Sequence, residues 1–465
     1  MAEPSATAEP LATAEPLADA HTADEAVRFC SDLIRIDTAN RGGGDGVERR
    51  AAEYVAERLA DAGFDPVILE SAPGRANVVT RIAGTEPGRP ALLVHGHLDV
   101  VPADPAQWRV PPTSGEIADG VIWGRGAVDM KNAVAMLLAL LRSWARHGRR
   151  PRRDLVVAFT ADEEDTAAFG ARFLVDRHAG LFDGCTEAIG ESGGYAYHVD
   201  AGADADPDAG VRLYPIGAAE RGTAWVKLTA RGTAGHGSRV HPDNAVAALA
   251  AAVVRIAEYE WPVRLIPTVR ACLAGIAAAL GPPTGDPADL DETAAAALAD
   301  ALGAAAALVA PTLRNSANPT VLQAGSTVNV VPGSAVGYVD GRVLPGHLAE
   351  FEATLDRLTG PRVTWEYAHR ERPLDAPLAT PTVAAMAAAL RAEDPAAHVV
   401  PYCLAGGTDA KHFAALGITG YGFTPLGLPP GYDYHAMFHG VDERVPVEAL
   451  TFGIRVLDRF LAGVG

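Results

Sequence analysis

Short runs of β-branched and apolar residues alternate with longer amphipathic stretches along the first half of this chain, and that alternation limits the fold more than any other feature. Apolar residues recur at helical spacing over Ala26–Arg35, Val47–Ala62, Lys131–His147 and about Ala168–Arg177. Asn77–Ile82, Ala91–Val94, Leu155–Phe159 and the short Ala188–Ile189 read as strands. Strands separated by helices can lie parallel with the helices covering the sheet, so the expected class is α/β, a large domain with a mostly parallel central sheet flanked by helices. The same texture returns after Pro373, with helices over Thr382–Arg391 and Val447–Ala462 and a strand over Thr419–Phe423.

Between these parts the order changes. It runs strand Thr223–Ala230, helix Asn244–Glu258, strands Ser326–Val331 and Ala335–Val343, helix Leu348–Leu358 and strand Arg362–Tyr367. That is the order of a smaller ferredoxin-like α+β domain. The expected organisation is a large domain over 23–219 and 373–465, interrupted by a lid domain over 220–372 with an Ala-rich helical insertion near 281–308. Residues 1–22 repeat ATAEPLATAEPLA, a low-complexity tail that cannot bury a core and is expected to be disordered.

Charge narrows the partners. The chain has 39 basic and 58 acidic residues, a net charge of −19, which disfavours nucleic acid and anionic membrane surfaces. The longest apolar stretch, Ala294–Pro311, is Ala-rich and broken by Asp300, so no membrane span is expected. The N-terminus lacks the basic and Leu-rich regions of a secretory signal, and Cys30, Cys185, Cys272 and Cys403 lie far apart with no CxxC pair. Both features point to a cytoplasmic protein without a disulfide framework.

Four clusters of acids and histidines fall at or just past predicted strands: HGHLDVVP (His95–Pro102), GRGAVDMKN (Gly124–Asn132), TADEED (Thr160–Asp165) and GESGG (Gly190–Gly194). Ligands of open parallel sheets gather at the carboxyl ends of the strands, so the clusters are expected to converge there. A fifth, FHGVDERVP (Phe438–Pro446), precedes the last helix. A lone histidine is more often a satisfied polar residue than a ligand; the ordered set of five carries the argument. His95, two residues before His97 on an extended segment, points to the opposite face and reads as structural.

These five motifs, in this order, resemble the dinuclear zinc amidohydrolase and exopeptidase family, which includes acetylornithine deacetylase, succinyl-diaminopimelate desuccinylase, aminoacylase and glutamate carboxypeptidase. The resemblance runs from about Asp24 to the C-terminus. It implies a zinc exopeptidase-like fold and two divalent metal ions per chain, zinc first, with cobalt or manganese as alternatives. One metal would take His97, Asp129 and Glu191; the other would take His439, Asp129 and Glu164, so that Asp129 bridges. Asp99 would orient the ring of His97, Glu163 would be the general base, and the Asp129–Met130 peptide bond would be cis. Three protein ligands per metal leave an open position for water, as catalytic zinc requires.

In the lid, His236 of GTAGHGS resembles the histidine that in dimeric members reaches a partner's active site and polarises the scissile carbonyl; an exposed loop histidine is the alternative. Asn329, Arg342, Gly407 and Thr408 match substrate-binding positions. The planar fork of Arg342 suits a carboxylate, the alternative being an ion pair with Asp340. The function so implied is metal-dependent hydrolysis of the amide bond of an N-acyl amino acid or short peptide bearing a free carboxylate. A dipeptidase or carboxypeptidase of the same family is the alternative. Remoter readings are a serine hydrolase using Ser192 of GESGG, which leaves Asp129 and the Glu163–Glu164 pair unexplained, and a non-catalytic binding protein. The expected partners are the small substrate and a second copy of the chain, paired through the lid at an exposed strand edge such as Thr223–Ala230.

Overall fold

The computed structural model describes residues 19–199, 210–280 and 290–465. The chain divides into two compact units. The first takes in the chain to Ile216, Leu378–Val399 and His412–Gly465, and the second Gly217–Pro377 and Val400–Lys411.

In the first unit the strand Ala91–His97 is buried at every position, so it needs cover on both faces of the sheet. It has parallel neighbours on both edges: Leu155–Thr160, with His97 opposite Thr160, and Cys185–Gly190, with Val94 opposite Ile189. Thr419–Gly422 continues the parallel set beyond Cys185–Gly190. On the other side the sheet turns antiparallel, through Arg75–Ile82 to Val67–Ala72. The parallel strands thus form the middle of the sheet, and the antiparallel additions lie at its edge. Val67–Ala72 has no fully buried residue.

The helix Lys131–His147 has the bounds its periodicity predicts, and Gly148 ends it in the left-handed conformation at φ 64°. It packs on the helices Ala20–Arg35 and Val447–Gly463, and Trp144 Nε1 donates to Asp458 at 2.7 Å. The first helix begins earlier than expected because the Asp19 carboxylate caps it, accepting from Thr22 N at 2.9 Å. Ala20–Thr22 are therefore helical rather than part of a disordered tail; residues 1–18 lie outside the described residues.

The second unit is a four-stranded antiparallel sheet in the order Ser316–Ala324, Ser334–Val343, Gly222–Arg231, Val363–Arg370. With the helices Ala245–Ala257 and Leu348–Thr359 this is the expected ferredoxin-like arrangement. Val226, Leu228, Leu249, Val339, Phe351 and Leu355 lie in its core. Two expectations fail here. Gly222–Arg231 is not an exposed edge, because it is bonded along both sides. The strand expected at Ser326–Val331 shrinks to Val330–Val331, and the long strand lies upstream, where Pro319 is tolerated at a sheet edge beside a register shift.

Within the Ala-rich insertion the described residues form the helix Glu292–Ala301, and a further helix, Pro267–Leu280, precedes it; residues 281–289 lie outside the described set. Val400–Lys411, expected within the returning large domain, groups with the second unit. Arg221 N donates to Leu404 O at 3.0 Å and Thr408 Oγ1 donates to Glu220, which fasten that segment there. Among the described residues no helix is long and apolar enough to cross a membrane.

Candidate metal centre

Three adjacent parallel strands deliver their carboxyl ends to one place. His97 closes the central one, Glu163 and Glu164 follow Leu155–Thr160 on one side, and Glu191 follows Cys185–Gly190 on the other. Asp129 comes from the turn before Lys131–His147, and its peptide bond to Met130 is cis. His439, at φ 55°, comes from the segment before the last helix.

His97 Nε2 lies 3.1 Å from Asp129 Oδ1 and 3.8 Å from Glu191 Oε2. His439 Nε2 lies 3.4 Å from Asp129 Oδ2 and 3.0 Å from Glu164 Oε2. Asp129 thus turns one oxygen toward each histidine, the placement a bridging ligand needs. Ligand atoms of His97, Asp129 and Glu164, and of His97, Glu163 and Glu191, lie within 4.8 Å of one another.

The electrostatics report crowded negative charge. Burial resists ionisation of Asp129, but bonds from His439 and His97 outweigh it and hold the carboxyl well below its usual range. Glu164 goes the other way, pushed up to about 7 by burial and then by the Asp129 charge. Bonds to Asp129 and Glu164 raise His439 to about 10. Burial opposes charge on His97, yet Asp129, Asp99 and Glu191 together hold it well above its ordinary value. These carboxylates demand positive charge. Glu164 Oε1 is also buried with no hydrogen-bond partner among the described residues, which is costly unless a cation meets it. Imidazole nitrogens with carboxylate oxygens suit zinc or a similar divalent metal, so the residues fit such a site.

Asp99 meets His97 through both its main chain and its carboxylate. The His97 Nδ1–H donates to the main-chain carbonyl of Asp99 at 2.9 Å, while the nearest Asp99 carboxylate oxygen is 3.6 Å away. A carbonyl only accepts, so Nδ1 carries a proton, and Nε2, on the side of Asp129 and Glu191, is the ring atom left for a metal to take in place of its proton. The Asp99 carboxylate also accepts from the backbone N–H groups of Glu163 and Glu164, both at 3.2 Å.

Sequence reasoning also missed Glu443, although its motif was in view. Fully buried, it accepts from Val128 N and Asp129 N on one oxygen and from Gly126 N and Arg125 Nη1 on the other. Arg125 Nη2 donates to Gly440 O, tying the turn of Asp129 to the segment of His439. Burial pushes the Glu443 carboxyl up to about 7 against these bonds. The available signal was an acid set between Val441 and Val445 just after His439. His95 is structural: it packs on Phe413 at 5.2 Å and fills the space beside Gly190, where a Cβ would fall 2.4 Å from its Cε1.

A sequence profile described as "Peptidase family M20/M25/M40" matches residues 93–463. This chain belongs to that family. Succinyl-diaminopimelate desuccinylase of Methylobacterium radiotolerans is 34% identical over 228 residues, covering 48% of this chain and 52% of that protein. The match therefore spans about half the length of that relative. Aminoacylase-1 of Mus musculus is 26% identical over 425 residues, covering 89% of this chain and 90% of its own. An M20 metallo-carboxypeptidase structure from Sulfolobus solfataricus superposes with a TM-score of 0.68 at 18% identity, over 94% of this chain and 98% of that one. At that identity the likeness speaks for the fold alone.

The remaining candidates of this M20/M25/M40 member lie in the second unit. His236 is exposed, on a short strand paired with Val330–Val331, and Gly237 N donates to Asn329 O at 2.8 Å, so His236 and Asn329 share one arm. Ser238 N donates to His236 Nδ1 at 3.2 Å, so in the neutral ring Nε2 carries the proton and is the donor. Arg342 forms the bidentate pair with Asp340, at 2.8 and 3.1 Å, that was the alternative to substrate binding. Its Nη1 is 3.4 Å from Thr223 Oγ1. Thr408 donates through both N and Oγ1 to Glu220, and Gly407 has no room for a side chain, since a Cβ would meet Lys411 Nζ. The serine-hydrolase reading loses its base: His439 Nε2 faces two carboxylates, and no hydrogen bond joins Ser192 to a histidine among the described residues.

Proposed function

We propose that this M20/M25/M40 member hydrolyses the amide bond of an N-acyl amino acid or short peptide that carries a free carboxylate. The observation that supports it most is the placement of His97 and His439 against opposite oxygens of Asp129, with Glu191 and Glu164 completing a donor set on each side. His97, Asp129 and Glu191 would hold one divalent cation and His439, Asp129 and Glu164 the other, zinc first, with cobalt or manganese as alternatives. Such ions, when bound, activate water and polarise a carbonyl.

Glu163 is the proposed general base, taking a proton from the attacking water at its carboxylate and returning it to the leaving amine nitrogen. His236 would serve the site of a second copy, offering its Nε2–H to the carbonyl oxygen as negative charge develops there. Arg342, Asn329, Gly407 and Thr408 bind the carboxylate end of the substrate, Arg342 through the donors that Asp340 leaves open. The near full-length match to aminoacylase-1 supports an acyl-amino acid over a longer peptide. A homodimer through the second unit and a cytoplasmic location belong to the same proposal. The edges available for pairing are Ser316–Ala324 and Val363–Arg370, and the four cysteines are free and buried.

The test is a panel of N-acetyl, N-succinyl and long-chain acyl amino acids with dipeptides, assayed with zinc, cobalt and manganese. At least one should be cleaved, and a chelator should abolish it. A metal-loaded protein that cleaves none overturns the reading.

A further inference from the structure

Behind the site lies a buried ionic chain. Asp162, immediately before Glu163 and Glu164, sits at φ 64° and is fully buried. An L-residue other than glycine adopts this left-handed backbone only when its surroundings hold it there. Here its Oδ1 accepts from Arg75 Nη2 at 2.7 Å and from Asn40 Nδ2 at 3.0 Å. Its Oδ2 accepts from Phe169 N at 3.2 Å and its carbonyl from Ala167 N at 2.7 Å.

Asn40 Nδ2 also donates to Asp99 Oδ2 at 2.9 Å, and Asp99 in turn takes the N–H groups of Glu163 and Glu164. Arg75 is fixed from behind by Glu48, with Nε and Nη2 each 2.8 Å from a Glu48 oxygen. Its guanidinium lies 4.9 Å over the Phe169 ring, and Gly46 leaves it no slack, since a Cβ there would fall 2.9 Å from Cζ.

We propose that Arg75, with Asn40, positions the two adjacent glutamates so that Glu164 turns toward His439 and Glu163 toward His97 and Glu191. Neighbouring residues diverge this way only if the peptide planes around them are set, and the left-handed Asp162 sets the first. Arg75 is the cation in the chain, and only a planar fork can hold Glu48 and reach Asp162 together. Asn40 closes the chain by bridging two carboxylates that would otherwise face each other. The inference rests on the proposed metal-dependent reading, and it assigns to Arg75 a selective effect: loosening the turn disturbs the metal position that includes Glu164 more than the one held by His97 and Glu191.

The test uses the full chain as Arg75→Lys, which keeps the charge and loses the fork, and Asn40→Ser. Zinc is titrated in competition with a chromophoric chelator, and near-ultraviolet circular dichroism confirms the native fold. In folded Arg75→Lys, one of two zinc affinities should fall roughly 10- to 100-fold while the other moves by less than about threefold, the scale seen for residues behind metal ligands. With zinc saturating, kcat should fall and KM should hold. A purely structural ion pair would lower the melting temperature and leave both zinc affinities unchanged, which overturns the proposal. If Arg75→Lys does not fold, Asn40→Ser decides by the same criteria. A wild-type chain that binds two zinc ions but cleaves no acyl-amino acid refutes the substrate reading alone, and the zinc affinities still judge Arg75. A wild-type chain that binds fewer than two refutes both.

Discussion

One buried carboxylate ties together the two ends of the gap in the first unit's sequence. Asp394, just past the helix Pro381–Glu393, accepts from Arg212 Nε and Nη2 at 2.7 and 2.8 Å and from Tyr214 Oη at 3.0 Å. Arg212 and Tyr214 lie on the strand that leads out of the unit, and Asp394 on the segment that returns to it. Asp394→Asn keeps the size but turns an amide NH₂ toward one pair of these donors. Hydrogen bonds to a charged group are worth about 1.5–3 kcal/mol, and Arg212 keeps some contact with water. At ~2 °C per kcal/mol for a unit above 200 residues, melting should fall by roughly 3–6 °C near neutral pH.

The pH dependence carries the sign. Burial raises the Asp394 carboxyl, but Arg212 and Tyr214 outweigh it and hold the group below its ordinary 3.8. A lowered folded value adds stability that is present above the unfolded pKa and lost as pH falls through the folded one. The gap between wild type and Asp394→Asn should therefore be widest above pH ~5 and close as the wild-type carboxyl protonates. Differential scanning calorimetry from pH 3 to 8 measures both. A loss below about 2 °C at pH 7, or an equal loss at pH 3, refutes the reasoning.

Three further outcomes concern the site. Glu163→Gln should lower turnover by roughly 10²–10⁴-fold with metal content unchanged, whereas Glu164→Gln should lose metal; exchanged phenotypes would mean that the roles of these neighbours are reversed. Elemental analysis of zinc-reconstituted protein should find two divalent ions per chain, and saturation at one would remove Asp129 as a bridge. Converting the substrate carboxylate to a neutral amide should cost ~1.5–3 kcal/mol in kcat/KM, and Arg342→Ala should erase most of that difference. Equal rates on acid and amide by the unaltered enzyme would leave Arg342 to its ion pair with Asp340.

Local pattern was enough for some of this. Lys131–His147 is legible because helical spacing and a terminal glycine are properties of neighbouring residues. His97, Asp129, Glu164, Glu191 and His439 are legible because each sits in a short motif, and the order of five motifs is itself information along the chain. The ferredoxin-like order of the second unit follows from the same kind of reading.

Pairing across the chain was not legible. Whether Gly222–Arg231 is an edge or a centre depends on strands more than a hundred residues away, and its own alternation is the same in either place. The resemblance implied Asp99 as the partner of His97, but only the folded turn shows that its carboxylate also holds the glutamate N–H groups. Arg75, Glu48, Arg125 and Glu443 are buried, and nothing in their sequence neighbourhood says so. A charged residue carries no local mark of burial, and the partner that makes its burial tolerable lies 27 residues away for Glu48 and 318 for Arg125. The sequence alone determined which residues could bind a metal, because ligand chemistry resides in the side chain. Tertiary structure decided which of them meet and what holds them, because a buried charge is stable only where the fold supplies its counter-charge.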